Sequence, residues 1–84
     1  ALLNVFPNPF NPSTQIKYSS YEYGPVQIKL LNIMGQELEL LRSGILAPGI
    51  HTSTLNAENY PSGIYFISLE TNISVTSHKV ILSK

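Results

Sequence analysis

Turn signals interrupt this chain so often that most segments between them are too short for an ordinary helix. Gly24-Pro25, Met34-Gly35, Ser43-Gly44, Pro48-Gly49 and Pro61-Ser62-Gly63 punctuate it, and the segments they bound alternate apolar with polar side chains, the period of a strand with one buried face. From Thr14 to Tyr21, Thr14, Ile16 and Tyr18 share one face while Gln15, Lys17 and Ser19 share the other. After Gly24-Pro25, Val26, Ile28 and Leu30 alternate with Gln27 and Lys29, and Leu31 and Ile33 make the end of that run apolar on both faces.

The segment from Gln36 to Arg42, QELELLR, carries good helix formers. Leu38 and Leu40 nevertheless alternate with Glu37 and Glu39 inside a span short for a helix, so a strand is expected there, ended by Ser43-Gly44. Pro48-Gly49 suits a type II turn and predicts a hairpin-like return into Ile50 to Leu55. A polar loop then leads to a type I turn pattern at Tyr60-Pro61-Ser62-Gly63. The run GIYFISLET that follows is apolar on both faces, as a strand in the middle of a sheet must be. The last run, SHKVILSK from Ser77 to Lys84, centres on Val80, Ile81 and Leu82. About seven short strands with turns between them predict an antiparallel β-sandwich.

The opening stretch FPNPFNPSTQIKY contains Pro7, Pro9 and Pro12, two of them in Asn-Pro pairs. Each proline removes a backbone donor and pushes the residue before it toward extended geometry, while asparagine can close an Asx turn. A stiff lead into the first long strand follows, barred from a sheet interior. Phe6 and Phe10, spaced by that frame, are expected to plug the open end of the sandwich; a ligand-binding loop is the alternative.

At 84 residues without cysteine, the core rests on side-chain packing alone. Only 12% of residues are charged, against the ~25% usual in soluble domains, and the charges cancel. Lys17, Lys29, Arg42, Lys79 and Lys84 are scattered, so neither nucleic acid nor an anionic membrane surface is an expected partner. No apolar run approaches the roughly 18 residues of a membrane-spanning helix. The chain reads as one module, residues 1–84, excised from a longer secreted protein whose targeting peptide lies upstream.

Catalytic constellations are missing. Aspartate is absent, which removes carboxylate-rich calcium loops. His51 and His78 have no ligand-type spacing, so no metal or other cofactor is expected. Ser62-Gly63 lacks the nucleophile-elbow pattern, and a paired-glutamate cleft hardly fits a sandwich of this size. Tyr18, Tyr21, Tyr23, Tyr60 and Tyr65 raise carbohydrate stacking as an alternative function, with Tyr21 and Tyr23 sharing a face near the end of the first strand. Tyrosine is equally a favoured strand residue. Asn72-Ile73-Ser74 matches a glycosylation sequon, a short pattern of little specificity.

Taken in order, FPNPFNPSTQIKY, LLNIMGQEL with its Asn-x-x-Gly turn at Asn32 to Gly35, PSGIYFISLE and HKVILSK resemble the C-terminal sorting domain of proteins exported by the bacterial type IX secretion system. The likeness spans nearly the whole chain. It implies an immunoglobulin-like sandwich, similar to the module of flagellar hook-capping proteins, serving as an address label and not as an enzyme. By that resemblance a larger cargo reaches the periplasm of a Gram-negative bacterium. It is recognised through this domain by an outer-membrane translocon and delivered to the cell surface or medium. A sortase-like protease then removes the domain, here near or before Ala1. Gly63 and Tyr65 correspond to the family's G-x-Y motif, and Lys79, Val80, Ile81 and Leu82 to its terminal motif; both are expected to meet the translocon. Pro7, Asn8 and Pro9 correspond to the opening motif, with a structural role expected. Gly63 also suits a tight strand start, and Tyr65 a place at the core edge. A final strand at a sheet edge could accept a partner by strand addition. A passive accessory sandwich on a secreted hydrolase is the remaining alternative.

Overall fold

The structure, a computed structural model, describes residues 3–6, 9, 12–20 and 23–83. Within them lie seven strands: β1 (Leu3–Phe6), β2 (Ser13–Ser20), β3 (Gly24–Leu31), β4 (Glu37–Leu46), β5 (Gly49–Asn56), β6 (Gly63–Glu70) and β7 (Val75–Leu82). They form two antiparallel sheets, ordered β1-β2-β5 and β4-β3-β6-β7. The immunoglobulin-like sandwich is thus present, with its fourth strand on the larger sheet.

Alternation builds the core. Ile16 and Tyr18 from β2 and Leu55 from β5 meet Val26, Ile28 and Leu30 from β3, Ile67 and Leu69 from β6, and Val80 and Leu82 from β7 in one buried cluster. β6, apolar on both faces, lies between β3 and β7. Fully burying each such aliphatic side chain contributes about 1.5–3 kcal/mol. Tyr18 is buried with its ring stacked on His51 at 5.6 Å and its hydroxyl 3.4 Å from that of Ser53.

Several expectations require correction. A strand not anticipated, β1, pairs with β2 ahead of the prolines. Val5 points into the core, so the neighbouring Phe6 must face out; it is 77% exposed and plugs nothing. Phe10 lies outside the described residues. Pro48-Gly49 reverses the chain without making a hairpin, because β5 pairs with β2 on the other sheet. Ser43-Gly44 does not end β4, which continues to Leu46. Two bulges in the β3–β4 ladder shift its register, leaving Leu38 and Leu40 exposed and bringing Leu41 onto the core instead. The hydrogen-bonded turn before β6 closes earlier than expected, from the Tyr60 N–H to the Ala57 carbonyl at 3.1 Å.

Every ladder is antiparallel, so odd-numbered strands run one way and even-numbered strands the other. Phe6 and Pro12, the β3–β4 turn, the β5–β6 loop and the end of β7 therefore gather at one end, the C-terminal pole. The β2–β3, β4–β5 and β6–β7 connections lie at the opposite pole, roughly 26 Å away for an eight-residue strand. The chain enters β1 toward that opposite pole, since Leu3 pairs with Tyr18 near the end of β2.

Candidate functional site

The two motifs expected to carry recognition, far apart in sequence, are ladder partners. Gly63 pairs with Leu82, Ile64 with Ile81, Tyr65 with Val80 and Phe66 with Lys79. The hairpin that aligns them turns at Thr71–Ser74, where the Thr71 N–H donates to the Ser74 carbonyl at 2.9 Å and the Thr71 hydroxyl oxygen accepts the Ser74 N–H at 3.2 Å. This turn includes Asn72-Ile73-Ser74, which in the sequence is only a sequon pattern of little specificity.

Strand parity divides the motif residues. Tyr65, Val80 and Leu82 face the core and are buried, Val80 completely. Lys79 and Ile81 face outward beside Ile64, with Ile64 44% and Ile81 37% exposed. Gly63 is half-buried with φ 157°, a backbone that L side chains rarely adopt, and a Cβ added there would meet nothing within 4 Å. The positive φ, and not crowding, is what favours glycine at that position, since a side chain there would strain the backbone. β7 is the marginal strand of its sheet, and β1 of the facing sheet runs alongside it. Of the opening motif, Pro9 is exposed, and Pro7 and Asn8 lie outside the described residues.

Tyr65 has a definite structural task. Its hydroxyl donates to the Pro61 carbonyl at 2.5 Å, tying the β5–β6 loop back onto β6. The Tyr60 ring lies 6.0 Å away, tilted by 55°, and its own hydroxyl donates to the Glu39 carboxylate on β4 at 2.8 Å. On the other side of the loop the Ala57 N–H donates to the Pro12 carbonyl at 3.0 Å. Four segments separated in sequence are thereby joined at the C-terminal pole. The links from Tyr60 to Glu39 and from Ala57 to Pro12 were not visible in the sequence, because they depend on which strands become neighbours.

The Glu39 carboxylate that accepts its proton, then partial loss of water, then the charge of Glu39 push the Tyr60 hydroxyl up from its ordinary value of 10.0. A folded value above the unfolded one means stabilisation fully present below about pH 10 and lost as the pH rises through the folded value. Tyr60→Phe is expected to cost under about 1 kcal/mol in urea melts at pH 7. The gap from wild type should hold through neutral pH and close in strong alkali; a gap unchanged there would contradict the bond.

Among the described residues the tyrosines make no sugar platform. Tyr18 and Tyr65 are buried, while Tyr23, 72% exposed, and Tyr60 sit at opposite poles; Tyr21 is outside the described residues. His51 and His78 lie on different sheets, and among the described residues no three metal-ligating side chains gather.

The profile of the secretion system C-terminal sorting domain family matches residues 4–83. The chain belongs to this family. It is therefore a sorting signal of type IX secretion, a domain that directs an attached cargo to the cell surface or beyond. The family is one of sorting signals, not of enzymes. No curated protein matches the chain. Sorting domains act for a cargo and for the secretion system, and here the chain enters the fold toward the pole away from its motifs.

Proposed function

We propose that the outer-membrane translocon reads this domain at the C-terminal pole, after the cargo has reached the periplasm. The observation that carries the reading is the meeting there of Pro12, the Asn32–Gly35 turn, the β5–β6 loop and the paired strands that carry Gly63–Tyr65 and Lys79–Leu82. The two halves of the motif act differently. Lys79 and Ile81 offer side chains to the translocon beside Gly63, while Tyr65, Val80 and Leu82 hold the hairpin that presents them. Because β1 flanks β7, recognition uses the outer face and end of β7 in preference to strand addition along its margin. Cargo entering from the opposite pole does not obstruct that surface. At the cell surface a sortase-like protease then cuts upstream of β1 and frees the cargo.

Residues 1–84 fused behind a periplasmic reporter, in a host carrying the system, test this. The full fusion is expected at the cell surface or in the medium, and a version ending before β7 in the periplasm. Equal export of both would overturn the reading. Released reporter should be lighter by the 9.3 kDa domain; retention of that mass would remove the proteolytic step while leaving sorting intact.

A further inference from the structure

The β3–β4 turn holds apolar side chains in water with unusual firmness. The Asn32 side-chain oxygen accepts the N–H groups of Met34 at 2.9 Å and Gln36 at 3.0 Å, and its amide nitrogen donates to the Gln36 side chain at 2.8 Å. Backbone bonds from the Asn32 N–H to the Gln36 carbonyl and from the Gly35 N–H to the Asn32 carbonyl, both 3.0 Å, close the loop. Gly35, at φ 81°, takes the left-handed geometry that glycine alone adopts without strain. Yet Ile33 is 70% and Met34 79% exposed. Asn32 supplies the rigidity, so neither apolar side chain is needed for the turn itself.

The apolar surface continues beyond the tip. Leu31 pairs with Phe66 on the outer face of the sheet, next to the Ile64–Ile81 pair. No charged residue occurs from Leu31 to Gln36, which calls for an uncharged partner surface. Glu37, paired with Lys29 at 3.6 Å, and Glu39, bonded by Tyr60, follow at once, so the tip itself offers no cation to attract an anionic bilayer. Two protruding side chains also fall well short of the roughly 1,200 Å² of a stable dimer. Ile45, Ile50 and Ile73 are exposed too, but at the opposite pole, toward which the chain enters.

We infer that Ile33 and Met34 form a preorganised knob that seats in an uncharged apolar socket on the protein that reads the sorting domain. The inference rests on the proposed reading of the C-terminal pole. Preorganisation spares the knob the ordering cost that a flexible loop would meet on binding, and buried apolar anchors of this kind dominate interface energetics.

Reporter fusions carrying the wild-type domain, Ile33→Ser with Met34→Ser, and Ile33→Leu with Met34→Leu provide the test. The serine variant should be exported at least ~10-fold less than wild type, given that losing two buried anchors weakens capture by ~100-fold or more. Its purified domain should still melt near the wild-type temperature, and the leucine variant should restore export. Normal export of the serine variant would overturn the knob and leave the sorting role standing, whereas no export of the wild-type fusion would sink both. Two solution results on the purified domain would also overturn the protein socket. One is binding to phosphatidylethanolamine–phosphatidylglycerol vesicles that depends on Met34; the other is a dimer abolished by the serine changes.

Discussion

Val80→Asp is expected to leave the purified domain without a cooperative melt at 25 °C, whereas Lys79→Asp, one position away, keeps it folded. Val80 is wholly buried in the cluster shared with Ile67, Leu69 and Leu82. An aspartate there must stay neutral to avoid an unpaired buried charge, and holding a group of pKa ~3.9 protonated at pH 7 costs about 4 kcal/mol before any packing loss. For 84 residues the whole stability is of the order of 4–13 kcal/mol. Lys79 faces solvent opposite Phe66, where a change of charge costs under about 1 kcal/mol, or some 4–8 °C in melting temperature. Thermal denaturation followed by circular dichroism separates the two. If Val80→Asp melts within a few degrees of wild type, the inward assignment of Val80, and with it the division of the terminal motif, is wrong.

The difference between neighbouring positions also marks what the sequence could reveal. Thr14, Ile16 and Tyr18, and Val26, Ile28 and Leu30, were readable as buried faces because a period of two is a local property. Pro48-Gly49 announced a reversal but carried no information about which sheet would receive β5. Leu38 and Leu40 misled because bulges, set by the partner strand, shift parity partway along β4. Phe6 was read through the rigid prolines after it, when its fate follows from the inward turn of Val5.

At the site, resemblance located the motifs, but only the β6–β7 ladder joined Gly63–Phe66 to Lys79–Leu82. Parity along VIL does separate Val80 and Leu82 from Ile81, so that division was present in the sequence. The bond from Tyr60 to Glu39 was not, since it forms between segments brought together by the fold, and the local bond from Tyr65 to Pro61 depends on how the loop turns into β6.

Inserting a small folded domain into the β5–β6 loop, between Glu58 and Asn59, should abolish export of a fused reporter, while the same insertion between Asn72 and Ile73 should leave it near wild type. Both sites are exposed connections, of the kind that tolerate insertions, and melting of each purified variant confirms that the sandwich persists. They differ in pole. The first adds bulk beside the tethered Pro61 carbonyl and the G-x-Y strand, where the translocon is proposed to approach. The second adds it at the far end of the β6–β7 hairpin, the pole toward which the chain enters. The account predicts loss of export at the first site and retention at the second; equal export from both, or loss only at the second, would contradict recognition at the C-terminal pole.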